Sequence, residues 1–269
     1  MKDKVVVITG AGSGIGKALA LEFARNGSRV VISGRQLDVL ENVAKEIKLS
    51  GGDVFIVRTD VSNESECKAL IESSLKQFGS IDVLINNAGI SMRALFDDVD
   101  LDVIRKLMDV NFWGAVYTTK FALPHLLKSQ GSVVGISSIA GKKGLPGRTG
   151  YSASKFALEG FLETLRTENL KKNLHVLVAC PGFTASGIRS KSLTKDGTAQ
   201  SESPRDEKSM MSAEEVAHSI YRAIKDRKRD LILSPEGKLS VFLNKFFPSW
   251  MDKIVYNHMA KEPNSPFSK

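Results

Sequence analysis

The sequence lacks long apolar runs, cysteine pairs and clustered metal ligands. No apolar stretch among the 269 residues approaches the roughly 18 residues needed to span a bilayer. The two cysteines, Cys67 and Cys180, form neither a disulfide framework nor a metal-binding pattern, and core packing is expected for both. The four histidines show no paired ligand spacing, so we predict no metal site. The residues before Val5 are too few for a signal peptide, and we expect a cytoplasmic protein.

Charge is unevenly distributed along the chain. The net charge is +8, and the excess of basic over acidic residues is 2 in residues 1–170 but 6 in residues 171–269. A basic surface favours an anionic cofactor, a membrane surface or nucleic acid. Aromatic residues are not interleaved with the basic ones as a base-stacking platform requires, so we expect no nucleic-acid partner.

Apolar runs and amphipathic segments alternate along the chain. Runs such as 5–8 and 133–136 are typical of strands that are covered on both faces, and each precedes a segment with helical periodicity. This order predicts an α/β fold: a Rossmann-type doubly wound parallel sheet in three α/β/α layers, with its site beyond the carboxyl ends of the strands. We expect a dinucleotide-binding catalytic domain over residues 1–235 and an amphipathic C-terminal extension of the same domain over residues 236–269.

A glycine-rich turn follows the first predicted strand, and an amphipathic segment, 17–26, follows the turn. This is the context of a phosphate cradle, because glycines let the backbone approach a pyrophosphate and a helix N-terminus favours its charge. The spacing Gly-x-x-x-Gly-x-Gly differs from the commoner Gly-x-Gly-x-x-Gly, and a tight turn without a ligand is the alternative. The predicted cofactor contacts here are Gly10, Gly12, Ser13, Gly14, Ile15 and Gly16.

The end of the second predicted strand bears on which nicotinamide cofactor would bind. A cofactor with a free ribose 2′-hydroxyl usually meets an Asp or Glu at this position. The chain has Ser33-Gly34-Arg35 instead. Arg35 can pair with a 2′-phosphate and Gly34 leaves room for it, so the sequence favours NADP(H) over NAD(H). A solvated loop arginine is the alternative interpretation.

The stretch Tyr151-Ser-Ala-Ser-Lys155, together with Ser138, indicates the chemistry. Tyr151 and Lys155 lie on one face of a predicted helix. Ser138 follows the predicted strand 133–136, so a hydroxyl, a phenol and an ammonium could converge at a strand end. Such a group can protonate a carbonyl oxygen: Ser138 would hold the oxygen, and Lys155 would lower the pKa of Tyr151 from about 10. For this motif alone, a surface helix with a stray Tyr and Lys is the alternative.

Together, these motifs resemble those of the classical short-chain dehydrogenase/reductase family, in its order and with its spacings, over about residues 4–235. The tail and Arg35 resemble the branch of steroid- and lipid-ketone reductases. The motifs that carry the resemblance are Thr9-Gly-Ala-Gly-Ser-Gly-Ile-Gly16, Asp60-Val61, Asn86-Asn87-Ala88-Gly89, Asn111, Ser138, Tyr151-x-x-x-Lys155 and Pro181-Gly182.

The resemblance implies a role for each residue of a catalytic set formed by Asn111, Ser138, Tyr151 and Lys155. Tyr151 would be the general acid in reduction and the base in oxidation. Lys155 would lower the pKa of Tyr151 and hold the nicotinamide ribose, while Ser138 would orient the carbonyl. Asn111, an amide inside an apolar helical segment, would anchor a water that relays protons to Lys155.

The resemblance also implies further cofactor contacts. Asp60 would contact the adenine and Asn87 the adenosine ribose. The loop after the sixth strand would border the nicotinamide, and Ser186 in that loop stands where the family often has Thr. These further predicted contacts are Asp60, Val61, Asn87, Ala88, Gly89, Tyr151, Lys155, Pro181, Gly182, Thr184 and Ser186.

Two segments outside these motifs bear on substrate access. Residues 187–211 have few large apolar side chains and are predicted to form a loop or lid over the substrate. Residues 239–259 carry apolar residues at spacings of three and four, interrupted by Pro248, which predicts two short amphipathic helices. These helices would pack on the parent domain, pack across a dimer interface, or rest peripherally on a membrane surface, where lysines beside aromatic residues suit an interfacial helix.

The sequence therefore predicts an NADPH-dependent carbonyl reductase that acts on an apolar ketone or aldehyde. An NAD(P)-dependent alcohol dehydrogenase that works oxidatively is one alternative. A non-catalytic protein that senses NADP is another, and the complete catalytic set argues against it. The resemblance implies a homodimer or a homotetramer.

Overall fold

A computed structural model describes residues 1–200 and 210–267. In this part of the chain, seven parallel strands form one sheet in the order β3-β2-β1-β4-β5-β6-β7. The strands are β1 (Val5–Thr9), β2 (Arg29–Gly34), β3 (Asp53–Arg58), β4 (Val83–Asn86), β5 (Ser132–Ile136), β6 (His175–Cys180) and β7 (Asp230–Ile232). The strand order reverses between β1 and β4, as in the doubly wound Rossmann fold that the sequence predicts.

Helices connect the strands and cover both faces of the sheet. They are α1 (Gly14–Arg25), α2 (Leu37–Leu49), α3 (Glu64–Phe78), α4 (Leu101–Met108), α5 (Gly114–Lys128), α6 (Thr149–Glu168), α7 (Ala213–Lys225), α8 (Pro235–Phe246) and α9 (Pro248–Ala260). Alternate residues of β1 explain the two layers: Val6 and Ile8 pack with α1, α2 and α7, whereas Val5 and Val7 pack with α3, α5 and α6. The three-layer prediction is confirmed.

A π-helical turn interrupts the helical segment that contains Asn111. This turn, Asp109–Trp113, separates α4 from α5 and places Asn111 at its centre. Single π-turns inside α-helices are frequently found at functional sites. Pro124, in contrast, lies inside α5 without ending it.

The tail forms the two short helices that the sequence predicts, α8 and α9, with Pro248 as the first residue of the second. None of the helices in residues 1–200 and 210–267 has the length and apolar character needed to cross a bilayer. In the predicted lid, residues 201–209 lie outside the described residues. Its first part folds against the loop after β4, where Leu193 and Arg93 form a backbone hydrogen bond of 2.8 Å.

Candidate active site

The carboxyl ends of β1, β4, β5 and β6 bring most of the predicted functional residues to one edge of the sheet. The glycine turn follows β1, Asn87 follows β4, Ser138 follows β5 and Pro181 follows β6. Helix α6 adds Tyr151 and Lys155 to the same edge, where doubly wound sheets bind ligands.

Two glycines of the first turn have backbone conformations that other residues rarely adopt. Gly10 has φ of +65° and Gly14 has φ of +53°, both in the left-handed region. At Gly16 the constraint is space, because a Cβ would overlap the carbonyl oxygen of Gly10. The turn therefore has the close backbone geometry that a pyrophosphate cradle requires.

The N-terminus of α1 is suited to an anion. Its N-cap residue, Ser13, is extended and makes no side-chain capping hydrogen bond, and no acidic residue lies in the first helical turn. The first N–H groups of the helix thus point out of its end with the positive end of the helix dipole. Together with the glycine turn, this end of α1 fits the pyrophosphate of a dinucleotide.

Asn87 fixes the conformation of the glycine turn through hydrogen bonds, a role that the sequence does not reveal. Its Nδ2 donates hydrogen bonds to the carbonyl oxygens of Thr9 (2.9 Å) and Gly10 (3.1 Å). In return, Thr9 Oγ1 accepts hydrogen bonds of 3.0 Å from the backbone N–H groups of Asn87 and Ala88. These contacts join the ends of β1 and β4, so Asn87 shapes the predicted cofactor site whether or not it contacts a ribose.

Arg35 and Asp60 share the neighbourhood at the ends of β2 and β3. Asp60 accepts hydrogen bonds from the N–H (3.0 Å) and the hydroxyl (2.7 Å) of Ser62. Burial alone would raise the pKa of Asp60, but these hydrogen bonds and the charges of Arg35 and Arg58 hold it below its usual value. Arg35 is exposed, so its guanidinium is accessible to an anionic group.

Ser138, Tyr151 and Lys155 come together as predicted. The Ser138 hydroxyl is close enough to the Tyr151 phenol to oppose the effect of burial on the Tyr151 pKa. Lys155 is 4% exposed, and its Nζ donates a 2.8 Å hydrogen bond to the carbonyl oxygen of Ile136 at the end of β5. The same ammonium lies 5.7 Å from the centroid of the Tyr151 ring. A phenol, a hydroxyl and a buried cation therefore surround one point, which is the arrangement needed to protonate a carbonyl oxygen.

The pKa of Tyr151 is set mainly by its burial. Burial raises the pKa of Tyr151 above its ordinary value, against the opposing effects of the Ser138 hydroxyl and of Arg148 and Arg189. Burial also lowers the pKa of Lys155, to about 8. Tyr151 therefore remains a protonated phenol at neutral pH, and the lowering of its pKa by Lys155 stays a prediction.

Asn111 uses its side chain to connect the loop after β4 with α6. Its Oδ1 accepts from Ile90 N–H (2.8 Å), and its Nδ2 donates to Ile90 O and to Ser154 Oγ (both 2.9 Å). A Cβ built on Gly89 would lie 3.2 Å from Asn111 Oδ1 and 3.4 Å from Lys155 Nζ, so these three residues are close neighbours. The water relay that the resemblance implies stays a prediction.

The loop after β6 reaches from the substrate side to the glycine turn. Thr184 Oγ1 donates to Gly182 O at 3.2 Å, and Ser186 contacts the turn at Gly14, where a Cβ would lie 2.9 Å from Ser186 O. In the same loop, the centroid of the Phe183 ring lies 6.3 Å from the centroid of the His258 ring in α9. The loop thus brings the tail helix next to the predicted nicotinamide position.

A sequence model described as short chain dehydrogenase matches residues 4–197. This chain belongs to the short-chain dehydrogenase/reductase family. It is an NAD(P)-dependent oxidoreductase. Among relatives, it is 35% identical over 274 residues to dehydrogenase/reductase SDR family member 7B of Mus musculus, an alignment that covers 100% of this chain and 85% of the mouse protein. It is 44% identical over 187 residues to 11-beta-hydroxysteroid dehydrogenase-like 2 of Arabidopsis thaliana, covering 69% of this chain and 60% of the plant protein.

Solved structures of family members have the same fold. A short chain dehydrogenase/reductase from Burkholderia phymatum in complex with NAD superposes with a TM-score of 0.82 at 26% identity, covering 93% of this chain and 95% of the other. An alcohol dehydrogenase from Thermococcus sibiricus complexed with 5-hydroxy-NADP gives a TM-score of 0.77 at 25% identity, covering 86% and 96%. The two neighbours hold different nicotinamide cofactors, so the fold alone does not choose between NAD and NADP.

Proposed function

We propose that this enzyme uses NADPH to reduce the carbonyl group of an apolar ketone or aldehyde. The observation that carries the proposal is the Tyr151 phenol, which lies beside Ser138 and has the ammonium of the buried Lys155 5.7 Å from its ring centroid. A decoy protein that only sensed the nucleotide would have no use for this group. The bound cofactor would supply the hydride.

The residues of the site would move one proton and hold one oxygen. Ser138 Oγ donates a hydrogen bond to the carbonyl oxygen, and the Tyr151 hydroxyl gives its proton to that oxygen as the alcohol forms. Burial keeps Tyr151 protonated at neutral pH, so it is ready as a donor in the direction of reduction. The tyrosinate left behind is stabilised by Lys155, which is charged below pH 8 or so, since its pKa is about 8.

Arg35 supports the choice of NADPH. It lies exposed directly after β2, and the Coulombic influence of its charge reaches Asp60 at the end of β3. A guanidinium in this place can form a charge-assisted pair with a 2′-phosphate, whereas an acid that would bind the free 2′-hydroxyl of NAD is absent from positions 33–35.

An apolar substrate is supported by the walls of the site. Phe183 and the tail helix α9 border the predicted nicotinamide position, and Met92, Val103 and Leu107 pack in a cluster with the Tyr151 side chain. One plant relative is named 11-beta-hydroxysteroid dehydrogenase-like 2, and a steroid would be an apolar substrate of this kind. Oxidation of the corresponding alcohol is the alternative direction, and the cellular cofactor ratio would decide it.

Exposed aromatic residues support assembly into a homodimer. Trp113 is 42% exposed and Phe156 47% exposed, although both are large and apolar. They lie on adjacent segments, because Phe112 beside Trp113 contacts Phe161 of α6 at 6.4 Å between ring centroids. A second copy that covers this surface, or two such pairs in a homotetramer, would bury them.

The tail is proposed to be an extension of the catalytic domain, residues 1–235, that also touches a membrane peripherally. Met251 and Met259 are buried, so α9 is packed on one side. Several large apolar side chains of the tail remain 39–62% exposed: Leu239, Phe242, Phe246, Phe247, Trp250 and Ile254. With Lys238, Lys245 and Lys253 beside them, they form a surface suited to an anionic bilayer, where lipid-soluble ketones would be found. The enzyme would then be a cytoplasmic protein at a membrane surface.

A panel of ketones, aldehydes and alcohols tests this function. Each carbonyl compound is incubated with purified protein and NADPH or NADH, each alcohol with NADP or NAD, and the absorbance of the reduced cofactor is followed. We expect turnover of at least one apolar carbonyl compound, faster with NADPH than with NADH. Absence of turnover for every compound, despite NADPH binding measured by fluorescence, would favour the sensor alternative.

A further inference from the structure

A buried carboxylate lies beneath the catalytic residues, and the mechanism above does not use it. Glu159 is 9% exposed and follows Lys155 by one helical turn on the same face of α6. Its Oε1 accepts a 2.6 Å hydrogen bond from Ser137 Oγ and a longer one, 3.4 Å, from Cys180 Sγ. Its Oε2 forms a 2.6 Å ion pair with Lys142. Burying a charged group is unfavourable for folding, even when it is paired. A functional role of this carboxylate would explain why it lies here.

The partners of Glu159 belong to the segments that carry the catalytic and cofactor-contacting residues. Ser137 immediately precedes Ser138, and Lys142 ends the short turn that begins there. Cys180 immediately precedes Pro181 at the end of β6. Glu159 itself is on the helix of Tyr151 and Lys155. One carboxylate therefore fixes the end of β5, the end of β6 and α6 relative to one another.

The packing around this carboxylate is tight. A Cβ added to Gly141 would overlap both the Glu159 carboxylate and the Ser137 hydroxyl, so the turn after Ser138 lies directly on the carboxylate. The hydrogen bond from Ala140 N to Ser138 Oγ (3.2 Å) then sets the orientation of Ser138 within that turn. Movement of Glu159 would displace the turn and hence the hydroxyl that faces Tyr151.

Glu159 also acts electrostatically on Lys155. Burial lowers the pKa of Lys155 to about 8, and the Glu159 carboxylate opposes this shift by favouring the charged ammonium. Cys180 does not share this role at neutral pH, because burial raises the pKa of its thiol far above 9 and keeps it uncharged. Glu159 also holds the pKa of Lys142 above its ordinary value despite burial, through their ion pair. Moving the carboxylate would therefore break this ion pair as well.

We propose that Glu159 is a positioning residue that holds Ser138 in its place relative to Tyr151 and Lys155, and that its charge keeps Lys155 protonated. This inference rests on the proposed carbonyl reduction. It concerns geometry and proton occupancy rather than contact with substrate, so Glu159 is not a catalytic residue.

Two substitutions separate the two parts of the proposal. Glu159→Gln keeps an oxygen that can accept from the Ser137 hydroxyl but removes the negative charge. We expect kcat to fall about tenfold. In the profile of kcat against pH, the decrease on the alkaline side should begin about one pH unit lower. Lys142→Gln loosens the turn but leaves the carboxylate beside Lys155. It should lower kcat severalfold while the alkaline limb stays in place. In both variants the KM for the carbonyl substrate should change little.

Glu163→Gln is the matched control. Glu163 lies one turn further along α6 and forms an exposed ion pair with Arg229, with the Glu163 side chain 65% exposed. This variant should keep the wild-type kcat and pH profile. Wild-type kcat in Lys142→Gln would overturn the positioning role, and an unmoved alkaline limb in Glu159→Gln would overturn the electrostatic role.

A readout without turnover separates this inference from the proposed function. The pH dependence of unfolding is compared between each protein and its Lys155→Met counterpart, which isolates the titration of Lys155. In the Glu159→Gln background, that titration should start about one pH unit lower than in the wild type. An unchanged titration would contradict the electrostatic role even if no substrate were found, whereas failure of the carbonyl panel alone would leave this result intact.

Discussion

Lys155 Nζ lies 5.7 Å from the centroid of the Tyr151 ring, while its hydrogen bond goes to the carbonyl oxygen of Ile136. The ammonium is thus beside the phenol and anchored to the sheet. Because it is almost fully buried, its charge is costly to the fold, and its pKa falls to about 8. The same burial makes the cation effective, since an ion pair with a developing tyrosinate is stronger away from water.

The protein should become more stable as pH rises through the alkaline range, because the buried Lys155 loses its charge there. Its pKa is about 8 when folded and 10.5 in its ordinary state, so the unfolded chain binds more protons between these values. The free energy of unfolding should therefore gain a contribution between pH 8 and 10.5, of up to about 3 kcal/mol from 1.36 kcal/mol per pKa unit.

Lys155→Met should lose this pH dependence and have a higher free energy of unfolding at pH 7, while turnover disappears. The physical reason is that Met removes the penalty of a buried charge. Urea titrations of both proteins from pH 7 to 10.5 measure the effect. Parallel pH profiles for wild type and variant would show that Lys155 does not titrate in this range.

Arg35→Asp should shift the cofactor preference from NADPH towards NADH. Loss of a charged hydrogen bond typically costs about 1.5–3 kcal/mol, so the NADPH/NADH ratio of kcat/KM should fall by about tenfold or more. The new carboxylate would also suit the free 2′-hydroxyl of NADH.

Arg58→Asp is the control for Arg35. Arg58 is also close to Asp60 and exposed, so its charge reversal changes the local field while Arg35 itself is kept. It should leave the ratio nearly unchanged. Equal effects of the two substitutions would mean that Arg35 acts only through the general field and does not recognise the 2′-phosphate.

Glu262 should anchor the C-terminal segment to the loops of the active site. Its carboxylate is buried and pairs with Arg148 at 3.0 Å and with Arg93 at 3.5 Å. Arg148 directly precedes α6, three residues before Tyr151. Because one partner of a buried ion pair is lost, Glu262→Gln should cost about 3 kcal/mol in unfolding free energy and raise the KM for substrate.

The exposed Glu236, in the first turn of α8, offers a control for Glu262. Glu236→Gln should change stability by less than about 1 kcal/mol, as expected for a helix N-terminal charge. Thermal unfolding and steady-state kinetics measure both variants. A Glu262→Gln protein as stable as wild type would show that the tail is not anchored through this carboxylate.

The exposed face of α8 and α9 should bind anionic vesicles at low salt. We expect the intact protein to sediment with liposomes that contain phosphatidylserine and to bind less to neutral liposomes. Replacing Phe246 and Phe247, 62% and 57% exposed, by Ser should release it without loss of fold. Protein that stays in the supernatant under all conditions would leave packing against a second copy as the explanation of this surface.

Local sequence patterns predict the fold well because they depend on near neighbours. Helices α2 and α3 and the capping box at Ser212 and Glu215 follow directly from periodicity and short-range hydrogen bonding. The encounter of Tyr151, Lys155 and Ser138 is also predictable, since a four-residue spacing on a helix and a strand end place them within one small region.

Contacts between distant segments are the features that the sequence does not reveal. Asn87 is 78 residues from Thr9, whose carbonyl oxygen it binds, and Glu159 is 22 residues from Ser137. The raised pKa of Tyr151 likewise follows from burial, which depends on the packing of the whole sheet edge. In Glu159 a signal is present: a charged residue on the buried face of α6, one turn after Lys155, needs a partner.

Tyr151→Phe tests the central claim most directly. Wild type and variant are mixed with NADPH and a carbonyl compound that the wild type reduces, and kcat and NADPH binding are measured side by side. The account predicts that kcat falls at least about 10²-fold, the usual loss for a positioned proton donor, while the dissociation constant of NADPH changes little. Retention of a tenth or more of the wild-type kcat, with NADPH binding intact, would contradict the assignment of Tyr151 as the proton donor.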